Sequence, residues 1–152
     1  MEQFQKALND MLIEVYHNIV QLEEKTLKQA GKLQLTINEM HLIEYLGRGG
    51  SEGLTIRELA DGLRVKSPSM TVAVKKLEAK GYVQKVACEE DGRAVRVCLT
   101  KAGKRVDAYH KYYHRMMVKA IADGMTDEEK SVLLSAIRKL NAYFIESIGD
   151  GA

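Results

Sequence analysis

The sequence has only two cysteines, one proline and no tryptophan. Cys88 and Cys98 are too few for a disulfide framework, and their spacing matches no structural zinc motif. We expect both to be reduced thiols, as is usual in a cytoplasmic protein. The 152 residues are 45% hydrophobic and 29% charged, a composition that argues against intrinsic disorder and against a fibrous repeat.

Long apolar segments are also missing. No stretch approaches the roughly 18 apolar residues that a membrane-spanning helix requires, so we expect no membrane partner. The first ten residues, MEQFQKALND, are polar and lack the apolar segment of a signal peptide. These absences predict a cytoplasmic location.

Neither sign of charge is in large excess, since 23 Lys and Arg stand against 21 Asp and Glu. The charges are nevertheless unevenly distributed. Residues 1–52 carry five basic and eight acidic side chains, residues 53–105 carry twelve and six, and residues 106–152 carry six and seven. The middle third therefore has a net charge of +6 between acidic flanks. Clustered cations favour a polyanionic partner because they displace counterions from phosphates, although a solvated basic surface is the alternative.

The spacing of apolar residues predicts a mostly helical chain. In residues 3–29, apolar positions recur every three or four residues, and this long stripe favours burial against a second subunit. Three later helix starts place a threonine at the N-cap and a glutamate three residues on, namely Thr36 with Glu39, Thr55 with Glu58, and Thr126 with Glu129. Further helices are predicted at about residues 102–122 and 127–147.

Two predicted helices, at residues 55–62 and 67–80, are joined by four residues and form a candidate helix-turn-helix. Ser67 is predicted to cap the second helix, with Pro68 at its first helical position. Met70, Ala73, Val74 and Leu77 would be buried. The outward face would then contain small hydroxyl, apolar and cationic side chains, which suit the major groove of DNA: Ser67, Ser69, Thr71, Val72, Lys75 and Lys76.

A β-hairpin is predicted directly after this helix. Residues 82–88 and 94–99 are rich in β-branched side chains and flank an Asp-Gly turn signal. Arg93 at the tip would suit the negative potential of a narrow minor groove. The predicted fold class is therefore mostly α with a small β-hairpin wing.

The ordered series of motifs resembles the MarR family of multiple-antibiotic-resistance regulators. The matching residues are T-x-x-x-L-A-x-x-L at 55–63, followed by Val74, Leu77, Glu78, Lys80, Gly81, Tyr82, Val83, Asp91, Arg93, Leu99, Thr100 and Gly103. The resemblance covers nearly the whole chain. It implies a winged helix-turn-helix domain at residues 31–101 and a homodimer built from helices in residues 1–30 and 102–152.

The resemblance also implies double-stranded DNA as the partner of a transcriptional regulator, usually a repressor, on a pseudo-palindromic operator. Gly92 departs from many family members, which carry a basic residue there, so we expect the wing to bind less tightly. The expected DNA-binding residues are Thr55, Arg57, Lys66, Ser67, Ser69, Thr71, Val72, Lys75, Lys76, Asp91, Arg93 and Arg96, with Asp91 bracing the wing.

Family members usually hold an effector between the DNA-binding module and the dimerisation helices. Residues 38–47 and 123–129 are similar to the branch that represses fatty-acid synthesis genes, which implies an effector bearing an acyl chain. An aromatic and methionine-rich core is the alternative interpretation. The expected ligand-binding residues are Met40, His41, Tyr45, Tyr109, His110, Tyr113, His114 and Met117.

The sequence has features that bear on three alternative functions. His110 and His114 lie four residues apart on one helix face, and His41 could join them in a zinc-responsive regulator, although we expect no metal or other cofactor. A winged helix used for protein interaction is disfavoured by Lys75 and Lys76. An enzyme is disfavoured because the sequence has no phosphate-binding glycine loop, nucleophile elbow or catalytic triad.

Overall fold

A computed structural model describes residues 2–29, 35–87 and 95–149, which form six helices and three strands. The predicted class, mostly α with a small sheet, is confirmed. Asp91, Gly92, Arg93 and Cys88 lie outside the described residues. The elements are α1 (Glu2–Gln29), α2 (Ile37–Arg48), β1 (Leu54–Thr55), α3 (Ile56–Gly62), α4 (Ser67–Ala79), β2 (Val83–Ala87), β3 (Val95–Leu99), α5 (Lys101–Asp123) and α6 (Asp127–Gly149).

The chain divides into two compact units, with the boundary inside α5. The first unit ends at Tyr109 and contains α1 to α4, the sheet and the first turns of α5. The second begins at His110 and contains the rest of α5 and α6. The division predicted from the sequence, with dimerisation segments at residues 1–30 and 102–152, stays a prediction.

The sheet has three antiparallel strands in the order β1-β3-β2. The predicted hairpin is present, with Val83 opposite Leu99 and Val86 opposite Arg96. The short strand β1 was not predicted, and it pairs with the other edge of β3, placing Leu54 opposite Val97. The root of the wing is therefore paired on both sides.

The hydrophobic core lies in the first unit and holds the two helices of the helix-turn-helix. Helix α2 buries Met40, Leu42, Ile43 and Leu46, which form one cluster with side chains from α1, α3, α4, β2, β3 and α5. The predicted buried face of α4 is confirmed for Met70, Val74 and Leu77, and Ala73 packs against the same cluster. The other fully buried contributors are Leu59, Ala60, Val83 and Val97.

All three predicted capping boxes are present. In α2 the Thr36 hydroxyl accepts from the Glu39 backbone N–H at 3.2 Å, and the Glu39 carboxylate accepts from the Thr36 N–H at 2.8 Å. The same reciprocal bonds start α3 at Thr55 and α6 at Thr126. These bonds satisfy N–H groups that a helix leaves without an internal acceptor.

The predicted cap of α4 was wrong by one residue. Lys66 is the N-cap and makes no side-chain capping bond, so Ser67 is the first helical residue and Pro68 the second. Proline is tolerated at either position because neither N–H has an acceptor within the helix.

Among the described residues, none of the helices has an apolar stretch of the length needed to cross a membrane.

Candidate functional site

Helix α4 presents a polar and cationic face next to a fully buried one. Ser67, Ser69, Lys75 and Lys76 are exposed, and Val72 keeps 53% of its surface accessible. Thr71 is half-buried, and its hydroxyl donates to the Ser67 carbonyl at 3.0 Å. This face has small side chains near the N-terminus of the helix and lysines further along. Such an arrangement matches the requirements of a recognition helix in the major groove.

Two of the predicted DNA-binding residues at the start of α3, Thr55 and Arg57, make local contacts. The Thr55 hydroxyl accepts from the Glu58 N–H at 3.1 Å and donates to its carboxylate at 3.0 Å. Hydrogen bonds from the Thr55 N–H and hydroxyl hold the pKa of Glu58 below its usual value. Arg57 is exposed, with its Nε 3.9 Å from the carboxylate of Asp61, which is also exposed. Arg57 and Lys66 therefore offer accessible cations, while Thr55 serves mainly the helix start.

At the wing, Arg96 supports the sheet. Its Nη1 donates to the Gly53 carbonyl at 2.9 Å and lies 3.9 Å from the Glu58 carboxylate. Gly53 has φ of +70°, and a β-carbon there would lie 2.4 Å from the Val97 carbonyl oxygen. Arg96 thus ties the turn before β1 to the central strand. The tip residues predicted to reach DNA, Asp91 and Arg93, lie outside the described residues.

An ion pair that the sequence does not predict joins α2 to the end of α4. Lys80 Nζ lies 2.7 Å from both carboxylate oxygens of Glu39, which is buried. Burial acts to raise the pKa of Glu39, but hydrogen bonds from Lys80 and Thr36 outweigh it and hold the pKa below its usual value. The pair joins the capping box of α2 to the C-cap of α4.

A groove of about 670 Å³ lies between α1 and the start of α2 in the first unit. Its walls are mostly apolar, and its polar groups include Glu23, Thr36 and His41. His41 Nε2 lies 3.7 Å from the Glu23 carboxylate. The apolar lining residues are Tyr16, Ile19, Val20, Leu27, Leu35 and Ile37.

The other predicted effector residues have different surroundings. Met40 belongs to the core, and Tyr45 packs against the core with its hydroxyl over Gly62, where a β-carbon would be 1.9 Å away. Tyr109 is exposed. Of the first-unit residues predicted to bind an effector, only His41 lines the groove.

In the second unit, two predicted effector residues form a histidine pair on α5. His110 and His114 place their Nε2 atoms 3.1 Å apart, with the rings nearly perpendicular. His110 is buried and His114 half-buried. Tyr113 stacks edge-on to His114 with ring centres 5.4 Å apart, and Met117 is half-buried.

Comparison with known proteins identifies the family. The model of the MarR family matches residues 33–94. Streptococcus pneumoniae FabT, solved in complex with DNA, has a TM-score of 0.87 and 30% identity, covering 93% of this chain and 97% of that one. The chain belongs to the MarR family. Members of this family are transcriptional regulators, and the prediction that the protein is not an enzyme is confirmed.

The chain is also similar to another solved structure and to two sequence relatives. A MarR family protein from Bacillus stearothermophilus has a TM-score of 0.77 at 22% identity, covering 95% of this chain and 98% of that one. The HTH-type transcriptional regulator YhjH of Bacillus subtilis is 25% identical over 112 residues, covering 72% of this chain. The chain spans 63% of the length of YhjH and 60% of the length of YybA from the same organism, to which it is 30% identical over 90 residues.

Proposed function

We propose that this MarR-family regulator binds double-stranded DNA with α4 in the major groove and the β2–β3 wing at the adjacent minor groove. The observation that carries the proposal is the exposed face of α4, on which hydroxyl, methyl and lysine side chains follow one another over a fully buried core. The +6 charge of residues 53–105, which contain this helix and the wing, supports it.

A winged helix used only for protein interaction is the main alternative. Lys75 and Lys76 are both exposed, and neither forms an ion pair among the described residues. A protein-binding face would leave these two ammonium groups without a function, whereas DNA phosphates or guanine edges would accept both.

We further propose a homodimer acting as a repressor on a pseudo-palindromic operator, with half-sites roughly one helical turn apart. Helix α6 has no buried residue, and α1 exposes large apolar side chains from Phe4 to Leu22. Helices of this length with accessible apolar faces are typical of subunit interfaces. A second copy of the chain is the occupant that MarR-family membership favours.

The test of DNA binding is a mobility-shift titration on the promoter region of the protein's own gene. We expect sequence-dependent binding at moderate salt that weakens steeply as salt rises. Lys75→Ala should weaken binding on every sequence and flatten the salt dependence if Lys75 contacts phosphate, or weaken binding only at particular sites if it reads guanine. Lys139→Ala, at an exposed position on α6, is the matched control and should change neither the affinity for DNA nor its salt dependence. Absence of sequence-dependent binding by a folded sample would overturn the proposal.

We propose that the groove between α1 and α2 takes the acyl chain of the effector. Its volume is within the range of small-molecule sites, and it has apolar walls with few polar groups. The resemblance of residues 38–47 to the fatty-acid synthesis branch favours an acyl ligand. An effector bound there would change the affinity for DNA if it bound more tightly to one conformation of the protein than to the other. The size of the change would equal the difference between the two effector affinities.

Palmitate binding followed by calorimetry tests the groove. Ile19→Trp should fill the groove and reduce affinity at least tenfold, because Ile19 is part of its lining. Ile13→Trp is the control, since Ile13 is also exposed on the same helix but lies outside the lining. Equal palmitate affinity in both variants would contradict the proposal.

The histidine pair on α5 favours metal sensing as a second candidate function. Two imidazoles bound to one tetrahedral Zn²⁺ place their nitrogens about 3.3 Å apart, close to the 3.1 Å between His110 and His114. A direct hydrogen bond between the rings explains the same distance. Competition for zinc against a chelating indicator distinguishes a zinc site from a hydrogen bond between the rings. If the pair binds zinc, His114→Ala should have a lower zinc affinity than the natural protein.

A further inference from the structure

The turn between α3 and α4 contains an unusual backbone conformation. Arg64 has φ of +54°, and it is the only non-glycine residue in the described ranges with a positive φ. Its N–H donates to the Asp61 carbonyl at 3.2 Å, and the Val65 N–H donates to the Ala60 carbonyl at 2.9 Å. These two bonds form the Schellman motif that closes α3.

Glycine is the residue that this position favours. The left-handed conformation brings the β-carbon of an L residue close to the following carbonyl oxygen, which costs free energy that glycine avoids. The helix end would therefore be more stable with glycine at position 64. The Arg64 side chain is exposed. Its guanidinium makes no hydrogen bond or ion pair within residues 2–29, 35–87 and 95–149 that would offset this cost.

The location of Arg64 indicates what its charge does. It precedes Ser67, the first residue of α4, by three positions and the exposed Lys66 by two. In a helix-turn-helix, this end of the second helix enters the major groove between two phosphate backbones. A residue held in a strained conformation, with no side-chain partner in the described part of the chain, points to a role in function.

We propose that Arg64 binds a phosphate of the DNA backbone at the edge of the groove that α4 enters. The guanidinium would donate to phosphate oxygens and fix the position of the turn without reading sequence. This inference rests on the proposed DNA binding. Arg64 is thus a DNA-contacting residue in addition to those predicted from the sequence.

Arg64→Gly has opposite expected effects on stability and on DNA binding. Relief of the positive φ should raise the thermal midpoint by roughly 2–4 °C for a chain of this size. Loss of one phosphate contact per protomer should weaken binding to a random-sequence duplex by about tenfold and lower the slope of log K against log salt by about 1 per protomer. Fluorescence anisotropy between about 50 and 200 mM NaCl measures both quantities.

Two controls separate this role from others. Arg64→Lys keeps both the charge and the strained conformation, so it should bind within about threefold of the natural protein with an unchanged thermal midpoint. Arg138→Gln removes one exposed cation from α6 and should leave the affinity for DNA and the salt slope unchanged.

Three outcomes would overturn the proposal. If Arg64→Gly binds the duplex with unchanged affinity and slope while the natural protein binds, Arg64 does not contact phosphate and the proposed DNA binding stands. If Arg64→Gly lowers the thermal midpoint together with the affinity, its role is structural. If the natural protein is folded and binds no duplex, the proposed DNA binding fails and this inference fails with it.

Discussion

Glu39 has two roles in the fold, since it completes the capping box of α2 and pairs with Lys80 at the end of α4. Its carboxylate is buried and accepts from two different residues. The first role follows from the local T-x-x-E pattern. The second could not be predicted, because 41 residues separate Glu39 from Lys80 and only the folded core brings them together.

Lys80→Met should destabilise the protein by about 2 kcal/mol at neutral pH, because it leaves a buried carboxylate without its cation. The pKa of Glu39 lies below its usual value of 4.5 in the folded state, so the pair stabilises the protein above about pH 4.5 and loses its effect as pH falls through the lowered pKa. The difference between variant and natural protein should therefore shrink in acid. Urea denaturation at pH 7 and pH 4 measures it.

Lys85→Met is the matched control for this prediction. Lys85 pairs with Glu78 at 3.1 Å, but the Glu78 side chain is 40% exposed where that of Glu39 is 9% exposed. We expect a loss within about 0.5 kcal/mol. Equal losses in both variants would show that burial of Glu39 contributes nothing.

Gly103 is required by a close approach between backbones. A β-carbon at this position of α5 would lie 2.1 Å from the Tyr82 carbonyl oxygen, which accepts from the Thr100 N–H and cannot easily move. Gly103→Ala should therefore cost about 2–4 kcal/mol, seen as a lower thermal midpoint. Gly149→Ala meets no atom within 4 Å and should be neutral or slightly stabilising. A neutral Gly103→Ala would contradict the described packing.

At the scale of elements, the sequence predicted what local signals determine. Threonine and glutamate at the right spacing located the starts of α2, α3 and α6, because a capping box needs only four consecutive residues. The start of α4 was misplaced by one residue, since Ser67 and Pro68 suit both registers. Strand β1 could not be predicted, because two residues are too few to show an alternation of apolar and polar side chains. Leu54–Thr55 form a strand only through pairing with β3.

The capping box of α3 gives a test at this scale. Thr55→Ala removes the hydroxyl that starts the helix and should cost about 1 kcal/mol of stability, while Thr55→Ser should cost little. Thr26→Ala is the control, since the Thr26 hydroxyl donates to the Leu22 carbonyl inside α1 and alanine suits that position better. Chemical denaturation distinguishes the three. If Thr55→Ala and Thr26→Ala gave the same stability, the cap would have no role.

For the whole molecule, the sequence predicted the family and fold, but the effector residues remain predictions. The helix-turn-helix could be predicted because its helices bury apolar residues at helical spacing, as Val74 and Leu77 do, and this spacing is visible in a single sequence. Effector binding depends on which side chains from distant segments meet in a cavity. The groove lining from Tyr16 to Leu27 on α1 was not anticipated, because its exposed apolar residues have the same spacing as a subunit interface.

The molar mass of the protein in solution tests the proposed homodimer. Light scattering should give twice the chain mass of 17.1 kDa for the natural protein. Ile137→Glu places a charge in the exposed apolar stripe of α6 and should shift the mass toward 17.1 kDa at micromolar concentration, because burying an unpaired carboxylate is costly. Ser135→Glu, at an exposed polar position of the same helix, should remain a dimer. A natural protein that is monomeric at these concentrations would contradict the proposal.

The absence of any buried side chain along the 23 residues of α6 has a consequence for the cell. In the proposed homodimer the apolar face of α6 would be covered by the second subunit, so its protection would depend on subunit association, which follows mass action. Newly made or scarce copies would then expose α6 to proteases, and abundant copies would protect it. The lifetime of the regulator would rise with its own abundance, so that low expression and rapid turnover would reinforce each other.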